Sequence, residues 1–209
     1  MSKAVSVFPD GSRLAVSREW VPEAPVALEY NGLAYAVMMA TPRDLEDFAC
    51  GFAVTEGLAG SVADVRDIDV AEVETGWIVR ASLSGPGAEM VAGRARTRIS
   101  ESGCGLCGIE NLEALAKPLP PVADHDPLNE GAIFAALGAL SKHQPLNEAT
   151  AAAHAAAWAD ATGALHCVRE DVGRHNAVDK LVGAMDRAGK SCAGGFILST
   201  ARCSYEIVE

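Results

Sequence analysis

Cys104 and Cys107 stand in the run Gly103-Cys104-Gly105-Leu106-Cys107-Gly108. This spacing brings two sulfurs close enough to exchange a disulfide, share a metal or hand on a bound sulfur atom, and the flanking glycines leave the loop open and pliable. The thiolate is the reactive form, and a place at a helix N-terminus near Arg98 lowers a thiol pKa. On these residues alone, sulfur carriage, a structural zinc site completed by Cys167 with His166, and thiol-disulfide exchange all stay open. No second close cysteine pair supports the zinc site, and the apolar strand that precedes a thioredoxin-type pair is missing. The same run also spells Gly-x-Gly-x-x-Gly, but a dinucleotide fingerprint needs a buried apolar strand before it, whereas Arg94 to Glu101 is basic and polar.

A second constellation is Glu170-Asp171-Val172-Gly173-Arg174-His175-Asn176. It sets two carboxylates, an arginine and a histidine at the start of a helix, where backbone N–H groups and the helix dipole favour an anion. Ser199-Thr200-Ala201-Arg202-Cys203-Ser204 repeats the theme after a short strand. Two strand-to-helix turns of this kind line one end of an α/β sheet, so Arg174, His175, Asn176, Ser199 and Arg202 are the candidate ligands of an anion or nucleotide. The competing reading is a capped helix with a solvated loop. His154 and His166, each among apolar neighbours, read as core histidines. Arg94, Arg96 and Arg98 fit either a solvated strand or a docking surface for an anion or acidic partner.

The elements that must position these groups follow from local signals. Val26 to Met39 alternates about Asn31-Gly32, which predicts a hairpin. Thr41 suits an N-cap and Pro42 the first helical position, with Leu45, Phe48 and Phe52 on one face of a helix that Gly57 and Gly60 end. Asp67 to Ala71 and Trp77 to Leu83 read as strands, and Ile109 to Lys117 as a short helix. A Pro-rich link, Pro118 to Pro127, precedes a helix from Asn129 to Lys142 with Ile133, Phe134, Leu137 and Leu140 as its apolar positions. Ala149 to Ala161 is ambiguous: alanine favours helix, while Thr162-Gly163 and Leu165 to Val168 suggest a hairpin. Arg169 to His175 is too polar for a core strand. The helix Asn176 to Arg187 turns Val178, Leu181, Val182 and Met185 inward, Gly195 to Leu198 is a short buried strand, and a helix starts near Tyr205 and stops after one turn. A helix so short predicts that the sequence ends before its fold does.

The 209 residues carry a formal charge of −11 and 49% apolar residues, enough for a core without staples. No Lys/Arg block of the size that nucleic-acid phosphates need is present, so nucleic acid is not an expected partner. Met1 to Asp10 does not resemble a signal peptide and no apolar run approaches membrane-spanning length, which predicts a cytoplasmic protein with no membrane contact. Six cysteines without framework spacing read as reduced thiols.

Glu23-Ala24-Pro25-Val26, Thr41-Pro42-Arg43-Asp44, Thr55-Glu56-Gly57, the cysteine run, His154-Ala155-Ala156-Ala157, Arg169 to Lys180 and Ser204-Tyr205-Glu206 together resemble, in order, the FdhD family of formate dehydrogenase accessory proteins. The resemblance implies a sulfurtransferase-type carrier. Cys104 would bear a persulfide received from a cysteine desulfurase, with Cys107 its neighbour in exchange. The sulfur would pass to the molybdenum bis(guanine dinucleotide) cofactor of formate dehydrogenase. It implies the desulfurase, the cofactor and the formate dehydrogenase apoenzyme as partners, a homodimer, and no stably bound metal. A zinc-binding or chaperone-type accessory role without sulfur transfer is the alternative.

In fold, the resemblance implies an α/β protein. A smaller β-rich N-terminal region (1–100) would be followed by the cysteine loop, short helix and Pro-rich link (101–127). A cytidine deaminase-like α/β sandwich (128–209), with C-terminal elements missing, would complete it. His154 to Asp160 and Leu165 to Arg169 become strands of one sheet. Deaminase activity is not expected, because His154 is followed by Ala155-Ala156 and Ser102-Gly103 precedes the first cysteine, against His-x-Glu and Pro-Cys-x-x-Cys. The family's Thr-Gly-Gly before the histidine is Thr150-Ala151-Ala152 here.

Overall fold

The structure, a computed structural model, describes residues 2–85, 87, 91 and 127–208. Cys104, Cys107, the three arginines before them, the helix expected over Ile109 to Lys117 and all of the Pro-rich link but Pro127 lie outside these residues. Strands β1 (Ser2–Val7) and β2 (Arg13–Arg18) form an antiparallel hairpin. The sequence reading missed it, although Asp10-Gly11 is a hairpin turn signal and Gly11 has a φ of 80°.

The expected hairpin about Asn31-Gly32 is present as β3 (Ala24–Tyr30) and β4 (Leu33–Ala40), with both turn residues at positive φ. With β5 (Val65–Val73) and β6 (Gly76–Leu83) they make a sheet in the order β4-β3-β6-β5, in which β3 and β6 run parallel. Helix α1 (Leu45–Thr55) covers one face, and Leu45, Phe48 and Phe52 join Val26, Leu28, Tyr30 and Val79 in the core. The helix does not start where expected. Thr41 and Pro42 precede it, and Asp44, in the left-handed region with φ 52°, is its N-cap without a side-chain cap bond. Thr41 is instead buried and bonded to distant residues, as described below.

Helix α2 (Glu130–Leu140) begins at Asn129, whose side chain accepts from the N–H of Gly131 at 2.7 Å. Its buried face is Ala132, Ala136 and Leu140, whereas Phe134, expected inside, is 70% exposed. Helix α3 (Pro145–Thr150) ends at Ala151, which has φ 53° and ψ 32°. That left-handed conformation favours glycine, the residue that the family resemblance sets there. Ala151→Gly is therefore expected to raise stability by about 0.5–1 kcal/mol, read as a higher midpoint of urea unfolding.

The alanine-rich segment is strand. β7 (His154–Asp160) pairs antiparallel with β8 (Leu165–Asp171) and with β9 (Gly195–Ser199) in the order β8-β7-β9. Small residues suit β7 because both faces are covered: Ala155 and Ala157 pack with Leu140 of α2, and Ala156 with Leu181 and Met185 of helix α4 (Arg174–Arg187). β8 runs through Asp171, so the segment judged too polar for a strand is in part a strand. β9 is not the buried strand expected, since Ile197 is 52% exposed. Helix α5 (Tyr205–Val208) is one turn. The fold is mixed α/β, and no helix among the described residues is long and apolar enough to cross a membrane.

α1 and α4 pack on each other, so the layers run sheet, α1, α4, sheet. Besides Leu181 and Met185, α4 therefore buries Asp179, Lys180 and Gly183. Charges tie the same contact. Arg169 donates through Nε and Nη2 to Asp47 Oδ2 at 2.9 and 2.8 Å, and Arg187 donates to Asp47 Oδ1 and to Glu46.

Candidate functional site

β8 and β9 both run antiparallel to β7, so their C-terminal ends lie at one end of the sheet, where β7 begins with His154. His154 pairs with Asp171, and Ser199 flanks Ala156 on the other side. Out of this end rise the turn into α4 and the turn into α5. β8 and β9 run in the same direction on either side of β7, so both turns open at the same end of the sheet.

Gly173 caps α4 with extended backbone (φ −96°, ψ 126°) and no side-chain cap bond. The first-turn N–H groups are thus not capped by a side chain, the arrangement that favours an anion. Arg174 and His175 follow at once. Arg174 Nε and His175 Nε2 are buried and lack hydrogen-bond partners among the described residues. Such groups call for a ligand, water or ion. Burial, and then the Arg174 charge, hold His175 below the usual histidine pKa, while Glu206 of α5 pulls the other way. The Glu206 carboxyl lies below its usual range first because of its own backbone N–H, with smaller help from His175 and Arg174. Arg174 and His175 thus lie within electrostatic reach of Glu206.

The remaining candidates are placed differently. Asn176 is buried, and its Nδ2 donates to Met39 O and to Asp171 Oδ1, both at 2.9 Å. It shapes the turn from inside. Ser199 Oγ accepts from the N–H of Ala201 at 3.2 Å, which bends the chain after β9, and Arg202 is exposed. His166 is not a core histidine. It lies at the surface with Nε2 2.6 Å from Asp160 Oδ2, and its ring tilts against Trp158.

Sequence reasoning missed what holds the α4 turn. The Asp171 carboxylate, fully buried, accepts four bonds: from Lys180 Nζ at 2.6 Å, the N–H of Thr41 at 3.0 Å, the N–H of Gly173 at 2.7 Å and Asn176 Nδ2. Lys180, also fully buried, donates to Thr41 O at 2.8 Å and lies 5.9 Å from the centre of the Phe48 ring. Thr41 Oγ1 accepts from the N–H of Val172. Glu170 accepts from the N–H groups of Leu146 and Asn147 at 2.9 and 2.8 Å. One signal was available. Ala177, Lys180, Leu181 and Ala184 fall at helical spacing on a buried stripe, and a lysine there requires a buried partner.

Three of the described cysteines, Cys50, Cys167 and Cys192, are poorly suited to react. Burial pushes the Cys50 thiol up to about 11 and raises those of Cys167 and Cys192.

Residues 21–209 match the model of the FdhD/NarQ family. The chain belongs to this family. FdhD/NarQ relatives include the protein named sulfur carrier protein FdhD of Bordetella petrii, 46% identical over 187 residues, which are 90% of this chain and 67% of the relative. The protein of the same name from Cupriavidus necator is 43% identical over 205 residues, 98% of this chain and 71% of the relative. Among solved structures, a protein from Desulfotalea psychrophila described as a formate dehydrogenase accessory protein superposes with a TM-score of 0.70 at 25% identity. That match covers all of this chain and 76% of the other.

Proposed function

We propose that this chain is a sulfur carrier that serves formate dehydrogenase. It accepts sulfur from a cysteine desulfurase on Cys104, with Cys107 next in exchange, and passes it to the molybdenum guanine-dinucleotide cofactor in the cytoplasm. The observation that carries the reading is family membership across residues 21–209, together with relatives named sulfur carrier protein FdhD. Loading needs no oxidant. The Cys104 thiolate attacks the outer sulfur of the donor's persulfide, a new S–S bond forms on Cys104, the donor's S–S bond breaks, and the donor leaves as a thiolate.

The α4 turn supports the cofactor half of the reading. A guanine dinucleotide presents a pyrophosphate, and Arg174 Nε, His175 Nε2 and a helix N-terminus without a side-chain cap are donors suited to one. The cofactor enters as the ligand that receives sulfur.

Intact mass spectrometry after incubation with a cysteine desulfurase and L-cysteine tests the carrier. Wild type is expected to gain a sulfur atom and Cys104→Ala to gain none, and undiminished loading of that variant would remove Cys104 from the role. Arg174→Ala and His175→Ala are expected to load normally and to bind guanosine diphosphate, a stand-in for half of the dinucleotide, more weakly. Stoichiometric zinc with no loading would favour the zinc-binding accessory role instead.

A further inference from the structure

We propose that Asp171 and Lys180 are positioning residues for the ligand turn: the buried pair holds Arg174 and His175 in register with Thr41, at the junction of the two sheets. The inference rests on the proposed anion-binding role of that turn and names what sets its geometry.

Both oxygens of Asp171 are fully engaged, and they face different ways. Oδ1 accepts from Gly173 N–H and Asn176 Nδ2, the residues that bracket Arg174 and His175. Oδ2 accepts from Lys180 Nζ and from Thr41 N–H. The first pair of bonds folds the turn and the second ties it to the segment joining β4 to α1. Lys180 repeats that tie through Thr41 O, and Val172 N–H closes it through Thr41 Oγ1. Arg174 and His175 therefore open a helix whose first turn is bonded on both sides to one carboxylate, and that carboxylate is bonded to the other half of the molecule.

Energetics decide what such a pair is for. Two charges taken wholly out of water lose hydration that their attraction repays only in part, so replacing both by uncharged groups is often neutral or stabilising, whereas removing one leaves the other buried and unpaired. Stability alone is a weak reason for an ion pair here. A fixed direction is a better one: four bonds at 2.6 to 3.0 Å leave Asp171 a single orientation, and the turn inherits it. Ligand binding is sensitive to that inheritance, because hydrogen bonds to an anion weaken steeply once the donor's distance or angle leaves its aligned geometry.

Lys180→Met alone strands a buried carboxylate and is expected to compromise folding, so the deciding variant is the double substitution Asp171→Asn with Lys180→Met, which removes both charges. Three readouts are taken on the full chain: the thermal midpoint, guanosine diphosphate affinity, and the titration of the His175 ring followed by NMR. The double variant is expected to unfold cooperatively, to bind guanosine diphosphate about tenfold more weakly or worse, the loss of about one hydrogen bond to a charged group, and to titrate His175 closer to an ordinary histidine as the ring leaves its buried place beside Arg174. An unchanged His175 titration would overturn the proposal, as would failure of the double variant to fold, which would make the pair a folding requirement. The His175 readout needs no ligand. If wild type binds no guanosine diphosphate, the ligand reading of the turn fails while a shifted His175 titration still supports the positioning role.

Discussion

Gly51→Ala and Gly183→Ala are each expected to destabilise the protein by about 2–4 kcal/mol, against the stabilisation of about 1 kcal/mol that helix propensity alone assigns to glycine-to-alanine changes in helices. Gly51 lies in α1 and Gly183 in α4, and the two helices approach through them. A Cβ on Gly51 would stand 1.7 Å from the carbonyl oxygen of Asp179, and one on Gly183 would stand 2.0 Å from that of Asp47. Both obstacles are backbone, so no rotamer change relieves them. The helices would have to separate by more than 1 Å or so, which loosens packing along the whole contact. That contact joins the two sheets and carries the Asp47 ion pairs with Arg169 and Arg187. Thermal unfolding checks the expectation: for a chain of this size the midpoint should fall by about 5–15 °C. A midpoint at or above that of wild type would show that α1 and α4 part easily.

Asp179→Asn is expected to be more stable than wild type at pH 8 and to lose that advantage towards pH 4. The Asp179 carboxyl is buried between α4 and α1, and burial pushes its pKa up to about 7, with the Glu56 and Asp171 carboxylates adding to the rise and the Thr55 hydrogen bond opposing it. Thr55 Oγ1 lies 2.8 Å from Asp179 Oδ1 and 3.3 Å from Phe52 O. A hydroxyl has one hydrogen, so it serves an ionised Asp179 or the carbonyl, whereas a protonated Asp179 donates to Thr55 and leaves that hydrogen for Phe52. The folded state thus holds a proton that the unfolded chain, with an ordinary aspartate pKa of about 3.9, has released. Stability from this group is fully present below the unfolded pKa and is lost as pH rises through about 7. The gap between about 3.9 and about 7 corresponds to about 4 kcal/mol at most. Urea midpoints of both proteins at pH 4, 6 and 8 isolate the group, since other titrations are common to the two. A difference that does not change with pH would remove Asp179 as the source.

Much of the architecture was legible in local pattern. The Asn31-Gly32 hairpin, the Leu45, Phe48 and Phe52 face of α1 and the inward Leu181 and Met185 of α4 all rest on residues close in sequence, where backbone conformation and periodicity act directly. The candidate ligand turn was legible for the same reason: charged residues, a glycine and a helix start are contiguous between Glu170 and Asn176. The alanine run was not, because helix propensity opposed the hairpin signal of Thr162-Gly163 and Leu165 to Val168, and local pattern left the strand that α2 and α4 sandwich undecided.

What tertiary structure decided is which polar groups go inside. Thr41 looks like a helix cap until Asp171, Val172 and Lys180 arrive from about 130 residues away and take all three of its bonding groups. Asn176 reads as a ligand and proves to brace the turn, and Gly51, which no local pattern singles out, is the contact through which α4 approaches. Composition and spacing pointed to a cysteine pair suited to sulfur chemistry and to a turn suited to an anion. They could not determine the partners of buried charges, because a buried charge is satisfied by whatever the fold brings within about 3 Å, and that is a property of the packed molecule rather than of any window of sequence.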